Sequence, residues 1–274
     1  MFGRSSAKAS TDEFRRRTKL RIQKFGCRAR MRADLFRYRS VVETPLFILA
    51  YARTGSQLLV SYLNSLAGVS MRKEVLNENK PEGIRSGPCS KEQVMKHLRL
   101  SVLSHSTQVG GVKLIFNQMR RHGVSVSDLE NYFHGTKFLV LYRKSLGEQF
   151  VSSKIAQKNR KWSLGKGQSR KLETVLVEPS DFIKYCQSVR ERYEEIRRDS
   201  FVMDNSLWIA YEELSESPEV LFKENVCPFL SVAYSSLTTN FARQNPQPLS
   251  QKVANYSELE PLFSSGEARL DYDR

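Results

Sequence analysis

Four short apolar runs most constrain what this chain can fold into. They are LFILAY (46–51), VGGVKLIF (109–116), KFLVLY (137–142) and SLWIAY (206–211). Each run is typical of a buried strand, and helical patterns lie between the runs. Buried strands separated by amphipathic helices form a mostly parallel sheet with helices on both faces. The sequence therefore predicts an α/β protein with three layers.

Capping residues and apolar spacing locate the helices. Three serines have the capping-box spacing, namely Ser90 with Gln93, Ser127 with Glu130 and Ser145 with Glu148. A helix is predicted over 57–67, ending at Gly68. From Asp181 an amphipathic helix is predicted with Phe182, Cys186, Val189, Tyr193 and Ile196 inward. The tail from about Thr238 is predicted to have little regular structure.

Basic residues are concentrated at two places. Of 44 Lys/Arg and 29 Asp/Glu, which give a net charge of +15, 13 and 4 lie in residues 1–43; the segment 152–171 has seven basic residues and no acidic one. Such surfaces attract polyanions, whether nucleic acid, anionic lipid or a small multiply charged ligand. We interpret residues 1–43 as a solvated basic arm and residues 44–274 as one domain.

The cysteines and the hydropathy pattern indicate a cytoplasmic protein. Four cysteines lie far apart without metal-ligand spacing, which favours reduced thiols over two disulfides. No transmembrane segment is expected, because no apolar stretch is long enough to span a bilayer. The carboxylates show no ligand clustering, so no metal is expected.

The turn Arg53-Thr54-Gly55-Ser56 follows the first run. A tight turn between a strand and a helix exposes backbone N–H groups that bind anions. Gly55 permits close approach, Thr54 and Ser56 add hydroxyls, and Arg53 adds a charge. The lysine of a triphosphate-binding loop is missing, which leaves a single phosphate or phosphosulfate. An ordinary capped turn is the alternative.

A similar arrangement follows the third run. Arg143 comes directly after KFLVLY, and Ser152 lies nine residues later on the predicted helix, from which its hydroxyl can fold back towards the guanidinium. Two anion sites at the ends of two parallel strands suit a ligand with two separate phosphates.

These motifs resemble those of sulfotransferases. Arg-Thr-Gly-Ser, with Leu58, Leu59 and YLNS behind it, is similar to their 5′-phosphosulfate loop, and LYRKSLGEQFVSSKIA (141–156) is similar to their 3′-phosphate motif. Further segments resemble the bacterial branch that includes nodulation and trehalose-type sulfotransferases: KEVLNEN (73–79), GVKLIFNQM (111–119), YEELSESPEVL (211–221) and RQNPQPLSQKVANYSEL (243–259). The resemblance covers about residues 45–260.

The resemblance implies a P-loop-like fold and 3′-phosphoadenosine 5′-phosphosulfate as sulfuryl donor, with 3′,5′-adenosine bisphosphate as product and no metal. It implies an acceptor hydroxyl (or amine) on a carbohydrate or small molecule. The implied cofactor-binding residues are Arg53, Thr54, Gly55, Ser56, Gln57, Arg143, Ser152, Arg243 and Gln244. Many relatives separate the arginine and serine by eight residues, so Ser153 or Lys144 is an alternative partner for the 3′-phosphate. Arg243 and Gln244 match a loop that closes over the nucleotide.

A hydroxyl acceptor must lose a proton during transfer, so a base is expected. Glu74 is the candidate by motif match, and His105 is the second. Lys113 lies inside an apolar strand pattern, where it would pair with Glu74, touch the sulfonate or reach solvent. The remaining histidines (His97, His122 and His134) are predicted to lie on the surface, and Trp162 is predicted to be core or to stack on adenine.

Three other functions fit parts of the sequence. A basic nucleic-acid-binding protein fits the charge, but no binding module or aromatic platform is recognisable, so no specific nucleic acid is expected. A P-loop nucleotide kinase is disfavoured by the missing glycine–lysine pair. A binding module with a degenerate site would lack turnover.

Overall fold

The computed structural model describes residues 3–38, 41–160, 162, 165, 173–241 and 247–272. Within these ranges the strands are β1 (Thr44–Ala50), β2 (Val69–Glu74), β3 (Val109–Ile115), β4 (Lys137–Tyr142) and β5 (Ser206–Ala210). They form one sheet in the order β2-β3-β1-β4-β5, and every pairing is parallel. The predicted α/β sheet is confirmed, and β2 is a strand that the sequence analysis missed.

The helices before the last strand are α1 (Gly3–Tyr38), α2 (Ser56–Leu63), α3 (Lys91–Leu103), α4 (Phe116–Arg121), α5 (Val126–Tyr132), α6 (Leu146–Asn159), α7 (Pro179–Arg197) and α8 (Ser200–Asp204). After β5 come α9 (Tyr211–Glu216), α10 (Pro218–Leu221), α11 (Cys227–Leu230), α12 (Leu249–Lys252) and α13 (Tyr256–Ser264). None of the helices in the described ranges combines the length and apolarity needed to cross a bilayer.

Each face of the sheet carries its own apolar core. On one face, Phe47, Leu49 and Val112 pack with buried residues of α3, α6 and α7. On the other, Leu46 and Ile48 pack with α2 and with α9, α10 and α11. Alternate residues of β1 thus supply opposite faces, which is the two-residue period of a strand. This arrangement confirms the predicted three layers.

Several helix predictions are confirmed and others are wrong at their ends. The Ser90 capping box opens α3 as predicted, and all five predicted inward residues of α7 are buried. The second capping box is formed by Ser125 and Asp128, so the Ser127 assignment is wrong by two residues. Ser145 caps α6, but the carboxylate of Glu148 binds other partners. The helix predicted over 57–67 ends at Leu63 because the chain turns into β2.

The two ends of the chain have more regular structure than predicted. Residues of the basic arm form α1, and the tail contains α12 and α13, where Leu259 and Phe263 pack into the core. Trp162 lies beyond α6 and is half-exposed, so its assignment to the core is wrong. All four cysteines are free thiols.

Candidate functional site

The loop between β1 and α2 has an unusual backbone. Arg53 and Gly55 both lie in the left-handed region, with φ of 71° and 80°. The first helical bonds run from the amides of Leu58 and Leu59 to the carbonyl of Gly55. The amides of Ser56 and Gln57 therefore precede the hydrogen-bonded part of α2 and are available at its positive end. Strain in a non-glycine residue is typical of functional loops.

The predicted hydroxyl donors of this loop lie inside it. Thr54 is fully buried, and its Oγ1 donates to the carbonyl of Tyr51 at 2.9 Å. That hydroxyl therefore stabilises the turn, and its contact with a ligand stays a prediction. Ser56 is also buried, at the first position of α2. The backbone amides and the Arg53 side chain are groups of this loop that can meet an anion.

Arg53 contacts the segment after β4 by its side chain. Its Nε donates to Ser152 Oγ at 3.1 Å and its Nη1 donates to the carbonyl of Trp162 at 2.6 Å. The partner predicted for Ser152 was Arg143, and the observed contact is instead with Arg53. The β1 loop and α6 thus meet through this guanidinium.

Arg143 lies at the carboxyl end of β4 and is buried. Its Nη1 donates to the carbonyl of Arg53 at 3.5 Å, and its Nη2 lies 3.4 Å from Glu148 Oε2. Lys252 Nζ holds the same glutamate oxygen at 2.6 Å. Among the described residues no hydrogen-bond acceptor reaches Arg143 Nε, and Glu212 lies 3.9 Å away. A buried guanidinium N–H without an acceptor is suited to an anionic ligand.

The ring of Tyr211 lies against both Arg143, which follows β4, and Gly55, which lies in the loop after β1. Tyr211 follows β5, and Arg143 lies over its ring at 4.7 Å from the centroid. A Cβ at Gly55 would lie 2.8 Å from Tyr211 Cε2 and closer still to Cδ2. Glycine is therefore required at position 55 for two reasons, the positive φ and the tyrosine ring against it.

Strand order explains why these side chains meet. β1 lies between β3 and β4. After β1, the chain places β2 and β3 on one side of it and then crosses to place β4 and β5 on the other side. The carboxyl ends of β1 and β4 therefore flank the point where the winding direction reverses. Ligands of open parallel sheets bind at this point. Arg53 and Arg143 lie on its two sides.

Glu74 and Lys113 form an ion pair at the ends of β2 and β3. Lys113 Nζ lies 2.9 Å from Glu74 Oε1, and the lysine is fully buried. Asn77 and Gln118 donate to Glu74 Oε2 at 2.8 and 3.0 Å. Burial alone would raise the pKa of Glu74, but Lys113 and these donors lower it to about 2. Burial lowers the pKa of Lys113 against the pull of Glu74, and the 2.9 Å contact supports the ionised pair.

His105 lies at the other end of β3, in the segment that precedes Val109. It is buried, and no partner for its Nε2 exists in the described part of the chain. Burial and, second, the charge of Arg72 lower its pKa to about 4. Because the strands are parallel, His105 lies near the amino ends of the strands, whereas Arg53 and Glu74 lie near their carboxyl ends. The structure does not bring this candidate base to the site.

The remaining predicted residues fall into three groups. Gln57 lies in the first turn of α2, whereas Arg243 and Gln244 lie outside the described residues. Of the alternatives to Ser152, Ser153 accepts from Gln157, and Lys144 is half-exposed beside Glu213 and Asp271. His97 and His122 were wrongly predicted to be surface residues, since both side chains are largely buried, and His134 is exposed as predicted.

Sequence reasoning missed five residues that contact Arg53 or Arg143 or the residues beside them. They are Tyr211, Glu212, Glu148, Gln149 and Lys252; Gln149, fully buried, donates to the carbonyl of Ala52 at 3.0 Å. One signal was available, because Glu212 follows the predicted run SLWIAY just as Arg143 follows KFLVLY, and Tyr211 is the last residue of that run. No local pattern marks Lys252, whose contact with Glu148 spans 104 positions of the chain.

Comparisons with known proteins give the following similarities. No family model matches the chain, and neither does any curated protein. A sulfotransferase from Alicyclobacillus acidocaldarius aligns with a TM-score of 0.48 and 17% identity, covering 82% of this chain and 92% of that one. The sulfotransferase domain of the Synechococcus PCC 7002 olefin synthase gives 0.45 and 15%, covering 85% and 90%. A mouse sulfotransferase complexed with PAP gives 0.38 and 13%, covering 88% and 73%.

Proposed function

We propose that this chain is a sulfotransferase that uses 3′-phosphoadenosine 5′-phosphosulfate. One observation carries the proposal: Arg53 and Arg143 flank the point where the winding direction of the sheet reverses, and Arg143 Nη1 donates to the carbonyl of Arg53 at 3.5 Å. Two cations on neighbouring strand ends suit a nucleotide with a phosphate at each end. The buried Arg143 Nε, which has no acceptor among the described residues, fits an anion there.

Each arginine has a distinct proposed role. Arg53, with the amides of Thr54 to Gln57, would bind the 5′-phosphosulfate, and Arg143 with Ser152 would bind the 3′-phosphate. Arg243 and Gln244 would close over the nucleotide. During transfer the sulfur leaves the bridging oxygen of the 5′-phosphate and bonds to the acceptor oxygen or nitrogen. Arg53 would stabilise the negative charge that grows on the bridging oxygen, and a preplaced cation lowers such a barrier.

The acceptor would be a hydroxyl (or amine) of a carbohydrate or small molecule, with Glu74 as the candidate base. Its carboxylate is a weak proton acceptor as it stands, because Lys113, Asn77 and Gln118 donate to it and its pKa is about 2. Glu74 would accept a proton only if an acceptor displaced one of these donors. Its second proposed role is to keep Lys113 charged, and Lys113 would touch the sulfonate.

Binding of adenine nucleotides tests the proposal. In calorimetry we expect 3′,5′-adenosine bisphosphate to bind about ten- to a hundredfold more tightly than AMP, since one charge-assisted phosphate contact contributes about 1.5–3 kcal/mol. Equal affinity for the two nucleotides would contradict the 3′-phosphate assignment. An acceptor screen with labelled donor then measures turnover, which a binding module or nucleic-acid-binding protein would lack.

The four free thiols support a reducing, cytoplasmic location.

A further inference from the structure

Helix α1 packs on the domain through one face only. Along that face Met31 is buried, and Ser101 Oγ on α3 donates to its sulfur at 3.9 Å. Lys24, about two helical turns before Met31, is buried and donates to the carbonyl of Ile84. The helix is therefore fixed to the domain by residues near Lys24, Cys27 and Met31.

A second face of α1 carries large apolar side chains that are exposed. Phe14, Ile22, Phe25 and Phe36 are between 69% and 86% exposed. At 100° per residue these four lie on one stripe about 80° wide, whose centre is about a third of a turn from Lys24 and Met31. Ala29 and Ala33 continue the stripe. Single exposed apolar residues are ordinary, but an aligned set on one helix indicates a binding surface.

Basic residues border this stripe on both sides. Residues 12–38 contain ten Lys/Arg and three Asp/Glu, a net charge of +7. By helical rotation Lys19 and Arg37 flank one side of the stripe and Arg21 the other, while Arg15 and Arg32 lie at its two margins. Long basic side chains beside an apolar stripe can extend to lipid phosphates while the apolar groups enter the hydrocarbon boundary.

We propose that α1 binds the surface of an anionic lipid bilayer, lying in the plane of the interface. Charge complementarity selects this partner, because anionic headgroups match the flanking arginines and the acyl region accepts the phenylalanines. A nucleic acid would neutralise the charge without burying the apolar stripe. A second copy of the chain would bring two strongly basic helices together, which like-charge repulsion opposes. The inference concerns α1 and is independent of the proposed enzymatic activity.

Vesicle flotation of the full chain tests this proposal. The chain should float with phosphatidylcholine vesicles that contain phosphatidylserine, float weakly with pure phosphatidylcholine, and lose binding as salt is raised. The double variant Ile22→Ser with Phe25→Ser should bind about tenfold or more weakly, since two apolar side chains no longer leave water. Both positions are exposed, so the variant should fold, as circular dichroism can verify.

A matched control lies elsewhere on the surface. Val220 on α10 is also exposed, and Val220→Ser should leave flotation unchanged. Wild-type flotation by the double variant, or equal binding to neutral and anionic vesicles, would overturn the proposal. So would a lipid-free dimer in sedimentation that the double variant converts to monomer, because the stripe would then cover a second copy.

Discussion

Arg53 Nε donates to Ser152 Oγ at 3.1 Å across 99 positions of the chain. The same arginine accepts from Arg143 through its backbone carbonyl. The two strand-end motifs are therefore one contiguous site, in which Arg53 contacts both residues proposed to hold the 3′-phosphate. A ligand that binds between the arginines would contact both at once.

Arg143→Gln should weaken binding of 3′,5′-adenosine bisphosphate about ten- to a hundredfold and leave AMP affinity nearly unchanged, because only the bisphosphate has the phosphate that Arg143 would contact. Calorimetry with both nucleotides measures this. The neighbouring Lys144 is half-exposed, and Lys144→Gln is the matched control. If Lys144→Gln had the larger effect, the 3′-phosphate would belong to Lys144.

Gly55→Ala should weaken folding and nucleotide binding together, because its Cβ would meet the Tyr211 ring and its φ is 80°. Gly68→Ala is the control, since its φ of 83° gives the same backbone strain and nothing lies within 4 Å. Strain alone costs about 1–3 kcal/mol. Denaturant unfolding should show the larger loss for Gly55→Ala, and Tyr211→Ala in the same chain should recover part of it. Equal losses for the two glycines would contradict the steric argument.

Glu74→Gln should lower stability at neutral pH by about 3 kcal/mol, because Lys113 stays buried without its carboxylate. A depressed carboxyl pKa stabilises the fold above the unfolded value, here 4.5, and that contribution is lost as pH falls towards 2. The wild type should therefore lose stability over this window, and the variant should be flatter. Unfolding series in acid measure the difference. Identical slopes for the two proteins would count against the ion pair.

The same variant distinguishes the two candidate bases. If Glu74 takes the acceptor's proton, Glu74→Gln should keep affinity for the bisphosphate and lose about 10²–10⁴-fold in turnover, the usual contribution of a general base. His105→Asn should have a minor effect on turnover, since His105 lies near the amino ends of the strands and the proposed site lies at their carboxyl ends. A collapse of turnover in His105→Asn alone would reverse this assignment.

His105 should also affect acid stability. Its depressed pKa keeps it neutral in the fold, while in the unfolded chain it binds a proton below about 6.5. Lowering the pH from 6.5 to about 4 therefore destabilises the fold, by roughly 3 kcal/mol for this residue. His105→Asn should reduce that slope, and the exposed His134→Asn should not. Unfolding midpoints across this window provide the test.

Deletion of residues 1–40 should preserve nucleotide binding and lower stability by about 2 kcal/mol or more, because Met31 is buried against α3. Deletion of residues 1–18 is the control, since the described side chains of that segment are exposed. Calorimetry and thermal unfolding of both truncations separate the two effects. Loss of bisphosphate binding in the longer truncation, if it folds, would place the arm in the site.

Local sequence patterns determined the strands β1, β3, β4 and β5 and the start of α3. Burial on both faces requires continuous apolar runs, and a capping box satisfies amides within four residues, so both signals are local. The turn at Arg53 was predictable for the same reason. β2 was not, because it is an edge strand whose last residues, Arg72, Lys73 and Glu74, are charged.

Only the tertiary structure decided which of these elements meet. β3 enters the sheet between β2 and β1, and this order sets Lys113 against Glu74. The crossing to β4 and β5 brings Ser152 to Arg53 and Tyr211 to Gly55. Periodicity and capping report the burial and hydrogen bonding of neighbouring residues, whereas these contacts depend on strand order. The sequence therefore determined the two strand-end turns at Arg53 and Arg143, and the sheet topology brought them together.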